Sequence, residues 1–442
     1  MGAYQYRPLD PHSHKPSSSS SKNPGCFLSK PACAWLACGF LSLALLHLLC
    51  CSPAGNQRAA FVSPLLNYIN NTYSFVSSVP EGVKKSCNYS EGQWVRAPGH
   101  ARRYNATQCD VKESHDCIRN GRPDTGYLDW RWQPAGPPSC VLPAFDAGAF
   151  LSATRGKHVA FIGDSMARNQ AQSLVCLLSA AFPSRLLHRD EGHQQKHNFW
   201  RYAFPAHDVR VSFYWNPFLV RATGKAEDES VPYNHVHLDQ PGDRWGADAD
   251  TIDVAVLAAG HWLLNGAIYY NGSEVTGAHN APAEMNYTGI GYTWPLKMVY
   301  RTAVERLSSA GGGRPRTLVL ATFSPAHFDG RPTDSPTACT KMEPYKEGEK
   351  EVDWVCKEVR DIVYGEAEAA RARSGAATRI EVLDVTKLAT MRPDGHPGVY
   401  MNRDPFKHGV PDKIYSDCLH FCLPGPVDTF NEILLQILRN RR

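Results

Sequence analysis

The stretch VAFIGDSMARNQ, residues 159–170, decides the fold of this chain. Its first four residues form a short apolar run that predicts a buried strand. Gly163 and Asp164 predict a turn, and residues 166–178 predict a helix. Such a junction places Ser165 at the mouth of a sheet, where helix N–H groups can stabilise a developing oxyanion. Ser165 is therefore a candidate nucleophile, and the alternative is that Asp164 or Ser165 only caps the helix.

The chain beyond this stretch alternates between apolar strands and amphipathic helices. Strands are predicted over residues 157–163, 253–260, 317–323 and 379–388, and helices over residues 166–178, 295–309, 349–374 and 426–440. This order predicts an α/β fold with a mainly parallel sheet flanked by helices. Sites in such sheets lie at the carboxyl ends of the strands. Ser165, Gly260 and Ser324 all occupy those positions.

Composition and charge limit the classes of protein to which the chain can belong. The 442 residues are 43% hydrophobic and 20% charged, as in globular proteins of one large domain or two smaller ones. The formal net charge is +4, and residues 1–30 contribute +3 of it, with four basic residues against one acidic residue. A nucleic-acid surface needs a clustered basic face, so nucleic acid is excluded as a partner.

The N-terminal region predicts membrane attachment. Residues 1–30 are polar and serine-rich, which predicts a disordered tail. Residues 31–51 carry no formal charge over 21 positions, a length that spans a bilayer as a helix. The basic flank precedes this segment, so the positive-inside rule predicts a cytosolic tail, a signal anchor and a luminal stem at residues 52–86. A cleaved signal peptide is the alternative.

Cysteines and glycosylation sequons agree with a luminal location. Nine of the 14 cysteines follow the apolar segment, and four lie at residues 87–140 without the C-x-x-C spacing of a zinc site. This spacing favours disulfides and predicts a disulfide-tied, loop-rich subdomain over residues 87–145. The α/β domain that carries Ser165, the candidate nucleophile, then spans residues 146–442. Five N-x-S/T sequons predict N-glycosylation, at Asn70, Asn88, Asn105, Asn271 and Asn286.

A second polar cluster lies near the C-terminus. Asp417 and His420 are three residues apart, so within one turn their side chains can meet. A carboxylate that accepts from one imidazole nitrogen fixes the tautomer, and the other nitrogen can then take a proton from a serine. The alternative is an ordinary capping pair in a loop.

Other features favour structural roles. His235 and His237 could lie on one strand face as metal ligands, but no third ligand is evident, so no metal site is predicted. The glycines at 311–313 lack the Lys-Ser/Thr of a phosphate loop and are interpreted as a connector. Four tryptophans could stack on sugar rings or pack in the core: Trp130, Trp132, Trp215 and Trp262.

GDS at Ser165 together with D-x-x-H at Asp417 and His420 resembles the GDSL/SGNH type of esterase and acyltransferase. Four flanking stretches resemble the plant trichome birefringence-like family in the same order: NGRPDTGYLDWRW, GDSMARNQAQSLVCLL, RPDGHPGVYMN and DCLHFCLPGPVDTFNEILL. The resemblance covers residues 86–439. Proteins of that family are Golgi-anchored O-acetyltransferases of cell-wall polysaccharides.

The resemblance implies roles for individual residues. Ser165 becomes the nucleophile that carries the acetyl group, His420 the base, and Asp417 the partner that orients it. The resemblance also implies four disulfides, Cys87–Cys140, Cys109–Cys176, Cys117–Cys422 and Cys339–Cys418, with Cys356 as the odd thiol. Many members have Asn at the position of Ala258, so the oxyanion donors are nominated from the backbone of Ser165 and Gly260 and from the side chains of Arg168 and Asn169. The alternative for these two side chains is that they only brace the turn.

We therefore predict a single-pass type II Golgi membrane protein that acetylates hydroxyls of a cell-wall polysaccharide. RTAVERL (301–307), SPAHFDG (324–330) and DVTKLATMRPDGHPG (384–398) favour the xyloglucan branch, and mannan and xylan stay open as acceptors. No bound cofactor is predicted. Acetyl-CoA is a candidate acetyl donor, although the chain has no nucleotide motif. The rival functions are an acetylesterase with the same three residues and a non-catalytic polysaccharide-binding protein.

Overall fold

The computed structural model describes residues 87–98, 104–105, 109–192 and 197–440. The predicted tail (1–30), signal anchor (31–51) and stem (52–86) lie outside the described residues, as does Asn70. Among the helices that are described, none combines the length and the apolarity needed to cross a bilayer.

The described residues contain 13 strands and seven α-helices. The strands are β1 (Gly92–Arg96), β2 (Trp130–Pro134), β3 (His158–Gly163), β4 (Arg185–Arg189), β5 (Phe199–Phe204), β6 (Val209–Trp215), β7 (Val220–Gly224), β8 (Asn234–Pro241), β9 (Val254–Ala258), β10 (Ala267–Asn271), β11 (Glu274–His279), β12 (Arg316–Ala321) and β13 (Thr378–Leu383). The α-helices are α1 (Ala147–Ala153), α2 (Ser165–Ser179), α3 (Asp243–Asp248), α4 (Thr293–Ser309), α5 (Trp354–Arg373), α6 (Thr386–Thr390) and α7 (Asp428–Arg439).

A seven-stranded sheet forms the centre of the fold, in the order β13-β12-β9-β3-β6-β5-β4. The pairs from β13 to β6 are parallel, and β5 and β4 add two antiparallel strands at one edge. The predicted mainly parallel α/β sheet is confirmed. Strand β3, which ends just before Ser165, lies inside the sheet between β9 and β6.

Helices cover both faces of this sheet because its strands are apolar on both sides. Along β3, Val159 and Phe161 belong to the core cluster that contains α2 and α7. Ala160 and Ile162 belong to the opposite cluster, which contains α4 and α5. All six residues of β3 are buried. The strand that leads to Ser165 is therefore held on both faces.

Two predicted elements end or begin at different residues in the structure. The strand predicted over 379–388 ends at Leu383, because the Asp384 carboxylate accepts from Thr322 Oγ1 and from the backbone N–H of Thr386, where α6 begins. The helix predicted over 349–374 begins only at Trp354. Asp353 caps this helix by accepting from the backbone N–H of Cys356 at 2.9 Å.

A second sheet was not predicted from the sequence. It has four strands in the order β11-β10-β8-β7. Along the chain, β7 and β8 follow β6, and β10 and β11 follow β9. His235 and His237 lie on β8, where His235 Nδ1 is 2.9 Å from the Tyr270 hydroxyl and His237 stacks on the Tyr270 ring. These contacts within the sheet agree with the structural interpretation of the two histidines.

The N-terminal part, residues 87–145, is rich in loops. Strands β1 and β2 form an antiparallel pair that brings Trp94 and Trp132 together, with ring centroids 5.5 Å apart. Both tryptophans are buried. Trp132 is thus a packing residue rather than an exposed platform for sugars.

Four disulfides tie distant parts of the described chain, in the same pairs that the family resemblance implies: Cys87–Cys140, Cys109–Cys176, Cys117–Cys422 and Cys339–Cys418. Cys117 and Cys422 are 305 positions apart in sequence. Cys356 is the free thiol of the described residues, and burial together with the Asp353 carboxylate raises its pKa, so the thiol stays protonated.

The disulfide between Cys117 and Cys422 should contribute more stability than the one between Cys87 and Cys140. Loop closure costs the unfolded chain more entropy when the bridged residues are far apart, and these pairs are separated by 305 and 53 positions. We expect Cys117→Ala with Cys422→Ala to lower the free energy of unfolding by about 2–5 kcal/mol. Urea unfolding of both double variants checks this, and a larger loss for Cys87→Ala with Cys140→Ala contradicts it.

Candidate active site

Ser165 is the first residue of α2, and Asp164 alone separates it from the end of β3. The Asp164 carboxylate caps the helix by accepting from the backbone N–H of Met166 at 2.9 Å. Gly163, with φ of +158°, lets the end of β3 lie close to β9, because a Cβ on Gly163 would be 1.9 Å from the Ala258 carbonyl oxygen. The predicted junction is confirmed, and Ser165 lies at its apex with 1% exposure.

The carboxyl ends of three parallel strands meet beside Ser165. His261 Nδ1 lies 3.1 Å from the Asp164 carboxylate, and His261 Nε2 lies 2.9 Å from the carbonyl oxygen of Ser324. One imidazole therefore links the residues that follow β3, β9 and β12. Gly260 directly precedes His261 and has φ of +154°, and a Cβ there would lie 2.8 Å from the Phe323 ring.

Asp417 and His420 are in contact, as their spacing predicts. His420 Nδ1 lies 2.7 Å from Asp417 Oδ2 and donates to that carboxylate. The other oxygen, Oδ1, accepts from the backbone N–H groups of Leu419 and His420, both at 3.0 Å. The carboxylate thus fixes the tautomer of His420 and leaves Nε2 as its basic nitrogen.

The electrostatics of this pair favour an ionised carboxylate. Burial alone would raise the pKa of Asp417, but the charge of His420 and the hydrogen bonds from its ring and backbone hold that pKa well below its usual range. Asp417 stays ionised at any pH near neutrality. It can therefore orient His420 and stabilise an imidazolium there.

Residues 417–422, here named the 417–422 turn, dock on the helix that begins with Ser165. Asn169 lies one helical turn after Ser165, so the two side chains share a face of α2. The Asn169 amide donates to the Phe421 carbonyl oxygen at 3.0 Å, and its oxygen accepts from the Phe421 N–H at 3.2 Å. The residue next to His420 is thereby tied to the helix face that carries Ser165.

His115 is a site residue that sequence reasoning missed. Its ring stacks on the His420 ring with centroids 4.8 Å apart, and its Nδ1 accepts from the Asn169 amide at 3.2 Å. Burial, followed by the charges of His420 and Lys112, lowers its pKa well below the usual range, so His115 is neutral. The residue ends a short 3-10 helix, Glu113–His115, between Cys109 and Cys117, where no local pattern indicates such a contact.

Two cations lie near the same residues. The Arg168 guanidinium lies over the Trp215 ring at 5.2 Å from its centroid, and Arg168 is 7% exposed. Burial, followed by the charge of Arg168, lowers the pKa of Lys112 to about 8. The surroundings of Ser165 and His420 therefore carry positive charge, which favours a negative charge that develops there.

One candidate metal-ligand group coincides with these side chains. A ligand atom from each of His115, Asp417 and His420 lies within 4.8 Å of the other two. Other contacts account for this proximity, since Asp417 accepts from His420 and the His115 ring stacks on the His420 ring. We therefore interpret the group as a hydrogen-bonded pair with a stacked third ring.

The structure places the remaining predicted residues as follows. Both N–H groups of the Asn169 amide are engaged, with Phe421 and with His115, which fits the bracing role. Trp262 is buried, while Trp130 and Trp215 are partly buried. The described sequon asparagines are all exposed: Asn88, Asn105, Asn271 and Asn286.

Comparisons with known proteins place the chain among related sequences. Residues 142–437 match the GDSL/SGNH-like acyl-esterase family found in Pmr5 and Cas1p, and residues 85–137 match the PMR5 N-terminal domain. The chain is 43% identical to xyloglucan O-acetyltransferase 1 of Populus trichocarpa, over 85% of this chain and 86% of the relative. It is 45% identical to xyloglucan O-acetyltransferase 1 of Arabidopsis thaliana, over 80% of each chain. It is 32% identical to protein trichome birefringence-like 25 of Arabidopsis thaliana, over 84% of this chain and 81% of the relative.

The Asp417 carboxylate should stabilise the fold only when it is ionised. A carboxyl whose pKa is lowered in the folded protein stabilises it above the unfolded pKa of about 3.9, and this contribution is lost as the pH falls through the folded value. We expect Asp417→Asn to lower the free energy of unfolding at pH 7 by about 1.5–3 kcal/mol, and this deficit to shrink in acid. Urea unfolding at several pH values checks this, with Asp412→Asn, at an exposed position of the preceding loop, as the control. A deficit independent of pH contradicts the interpretation.

Proposed function

The chain belongs to the GDSL/SGNH-like acyl-esterase family found in Pmr5 and Cas1p, and on that premise we propose that it is an O-acetyltransferase of xyloglucan. The observation that carries the proposal is the hydrogen bond of 2.7 Å between Asp417 and His420, on a turn docked to the helix of Ser165. The names of relatives that are 43% and 45% identical support the reaction and the acceptor.

In the first half-reaction, Ser165 Oγ attacks the carbonyl carbon of the acetyl donor. His420 Nε2 takes the hydroxyl proton, and Asp417 stabilises the imidazolium that forms. Collapse of the tetrahedral intermediate expels the donor's leaving group, which takes the proton from His420. The product of this step is an acetyl ester on Ser165.

In the second half-reaction, a sugar hydroxyl attacks the acetyl ester. His420 removes the proton of that hydroxyl and returns it to Ser165 Oγ as the ester bond breaks. The acetyl group leaves on the sugar, and the enzyme returns to its starting state. His115 stacks on the His420 ring and is neutral, so it places no second positive charge beside the His420 imidazolium in either step.

The oxyanion that forms in both steps needs hydrogen-bond donors. The backbone N–H groups of Ser165 and Gly260 are our candidates, because both lie at the carboxyl ends of neighbouring strands. Arg168 is the side-chain candidate, since it is on the first turn of α2. Asn169 would have to give up one of its existing hydrogen bonds to serve as a donor.

Trp215 is a candidate platform for the acceptor. It ends β6, where it pairs in register with Gly163 of β3, two residues before Ser165. The Trp215 ring is partly buried between the Arg168 guanidinium and the Trp262 ring. Aromatic faces of this kind stack on apolar faces of sugars.

We also propose that the protein is a single-pass type II Golgi membrane protein with its catalytic domain in the lumen. The apolar segment at 31–51, the four disulfides and the exposed sequon asparagines support this location, because disulfides and N-glycans form in the secretory pathway.

Ser165→Ala should remove acetyl transfer without unfolding the protein. The substitution deletes the nucleophile, and loss of a triad member typically lowers kcat by about 10⁴-fold or more. Mass spectrometry of xyloglucan oligosaccharides incubated with acetyl-CoA measures the transfer, and the same assay with mannan and xylan oligosaccharides tests the acceptor. Ser179→Ala, at the far end of α2, should retain activity. Full activity of Ser165→Ala would overturn the assignment.

The same assay separates the transferase from the esterase. Without an acceptor, the transferase should accumulate an acetylated Ser165 peptide, because the second half-reaction lacks its hydroxyl. An esterase uses water as the acceptor, so it releases acetate from pre-acetylated oligosaccharides and transfers no acetyl group to xyloglucan. Acetate release alone would replace our proposal by that alternative.

The topology has its own test. Deglycosylation of the protein purified from plant cells should lower its apparent mass, and replacement of each described sequon asparagine by Gln should remove part of that shift. Protease treatment of intact Golgi vesicles should leave the catalytic domain uncut. Cleavage of that domain in intact vesicles, together with no glycan, would contradict the luminal orientation.

A further inference from the structure

Two buried histidines meet behind the 417–422 turn. His327 Nδ1 and His396 Nε2 lie 2.7 Å apart, a hydrogen-bonding distance, and each residue is 2% exposed. Neither residue takes part in the proposed mechanism. Both lie in motifs that the sequence singled out, SPAHFDG and RPDGHPG, without a role for the histidine itself.

The outer nitrogen of each ring faces a backbone carbonyl. His327 Nε2 lies 2.8 Å from the Thr390 oxygen, and His396 Nδ1 lies 2.8 Å from the His420 oxygen. A carbonyl oxygen can only accept, so both outer nitrogens must carry a hydrogen. A neutral imidazole has one N–H, so in two neutral rings the facing nitrogens, His327 Nδ1 and His396 Nε2, would both be unprotonated. Two lone pairs would then face each other at 2.7 Å.

The contacts form three hydrogen bonds in a row, and these need three protons, whereas two neutral rings supply two. We propose that His327 and His396 share one additional proton and so form a singly charged pair that holds the backbone carbonyl of His420. Both are positioning residues, since they act on the proposed base through its backbone. Their effect on catalysis rests on the proposed function, but the shared proton does not.

The surroundings limit the pair to one extra proton. Two coupled imidazoles titrate in two steps that belong to the pair. Burial, followed for His396 by the charge of His327, lowers the pKa of both histidines, so the surroundings oppose charge on the pair and oppose a second charge most. The one shared proton is favoured by the third hydrogen bond that it makes between the rings. Other charged groups act on the pair from neighbouring segments, carboxylates in favour of the proton and cations against it: Asp329, Asp394, Asp417, Arg122 and Lys350.

The two histidines donate hydrogen bonds to the 417–422 turn at two points. The His327 backbone N–H donates to the Cys418 carbonyl at 2.8 Å, and His396 Nδ1 donates to the His420 carbonyl. Loss of the shared proton at high pH leaves one of the three hydrogen bonds unmade. The carbonyl of His420 or that of Thr390 then loses its donor, and the orientation of His420 is less well defined.

The test uses the full-length protein with ¹⁵N-labelled histidine. The wild type at pH 7 should show three N–H protons on two rings, one of them strongly downfield, and this signal should persist above the ordinary histidine pKa of about 6.5. Two singly protonated neutral rings at pH 7 would overturn the proposal. This measurement needs neither a variant nor activity, so it can fail while the proposed function stands.

His327→Gln is the matched variant. Its amide can still donate to the Thr390 carbonyl, and a neutral His396 can still donate to His420, so the third proton is no longer required. We expect the downfield signal to disappear and KM to change little. Loss of the shared proton should make kcat of the wild type decline at high pH, and this decline should vanish in His327→Gln. His408→Gln, at an exposed loop position, should change none of these. A downfield signal retained in His327→Gln, or an unchanged pH profile of kcat, would overturn the assignment.

Discussion

The hydrogen bond between Asp417 and His420 depends on a turn that has no helix or strand of its own. Asp417 pairs through both backbone groups with Gly398, and Cys422 donates to the Gly395 carbonyl. Disulfides at Cys418 and Cys422 add two covalent ties. Irregular backbone is stable in one shape only when its polar groups and side chains are held from outside. The chemistry of the site therefore depends on segments that touch no substrate in the proposed mechanism.

The nucleophile side of the site is built in the opposite way, from regular structure. Strand β3 is buried on both faces, and α2 begins immediately after it with its own cap. Ser165 is therefore placed by the central sheet, and the Asp417–His420 pair is brought to it by Asn169 and His115. A rigid scaffold on one side and a tethered turn on the other are a common way to assemble groups that must meet within hydrogen-bonding distance.

Much of this architecture could be predicted from the sequence, and the errors have physical causes. The parallel strands and their helices were predicted because both faces of the sheet are buried, which gives long apolar runs. The second sheet was missed because its strands are partly exposed and carry polar residues, as in β8 with His235 and His237. The strand predicted over 379–388 was too long because hydrogen bonds to the Asp384 carboxylate end it. The helix predicted from residue 349 begins later because Asp353 caps it. Both effects depend on side-chain geometry.

The sequence by itself determined the features that arise between near neighbours. The strand–turn–helix at Ser165 follows from periodicity and a capping carboxylate, and the contact of Asp417 with His420 follows from a spacing of three residues. Only the tertiary structure decided which distant groups meet, such as Asn169 with Phe421, 252 positions apart, and the rings of His327 and His396. Local hydrogen bonds are set by adjacent residues, whereas contacts across hundreds of positions exist only once the whole chain has packed and closed its loops.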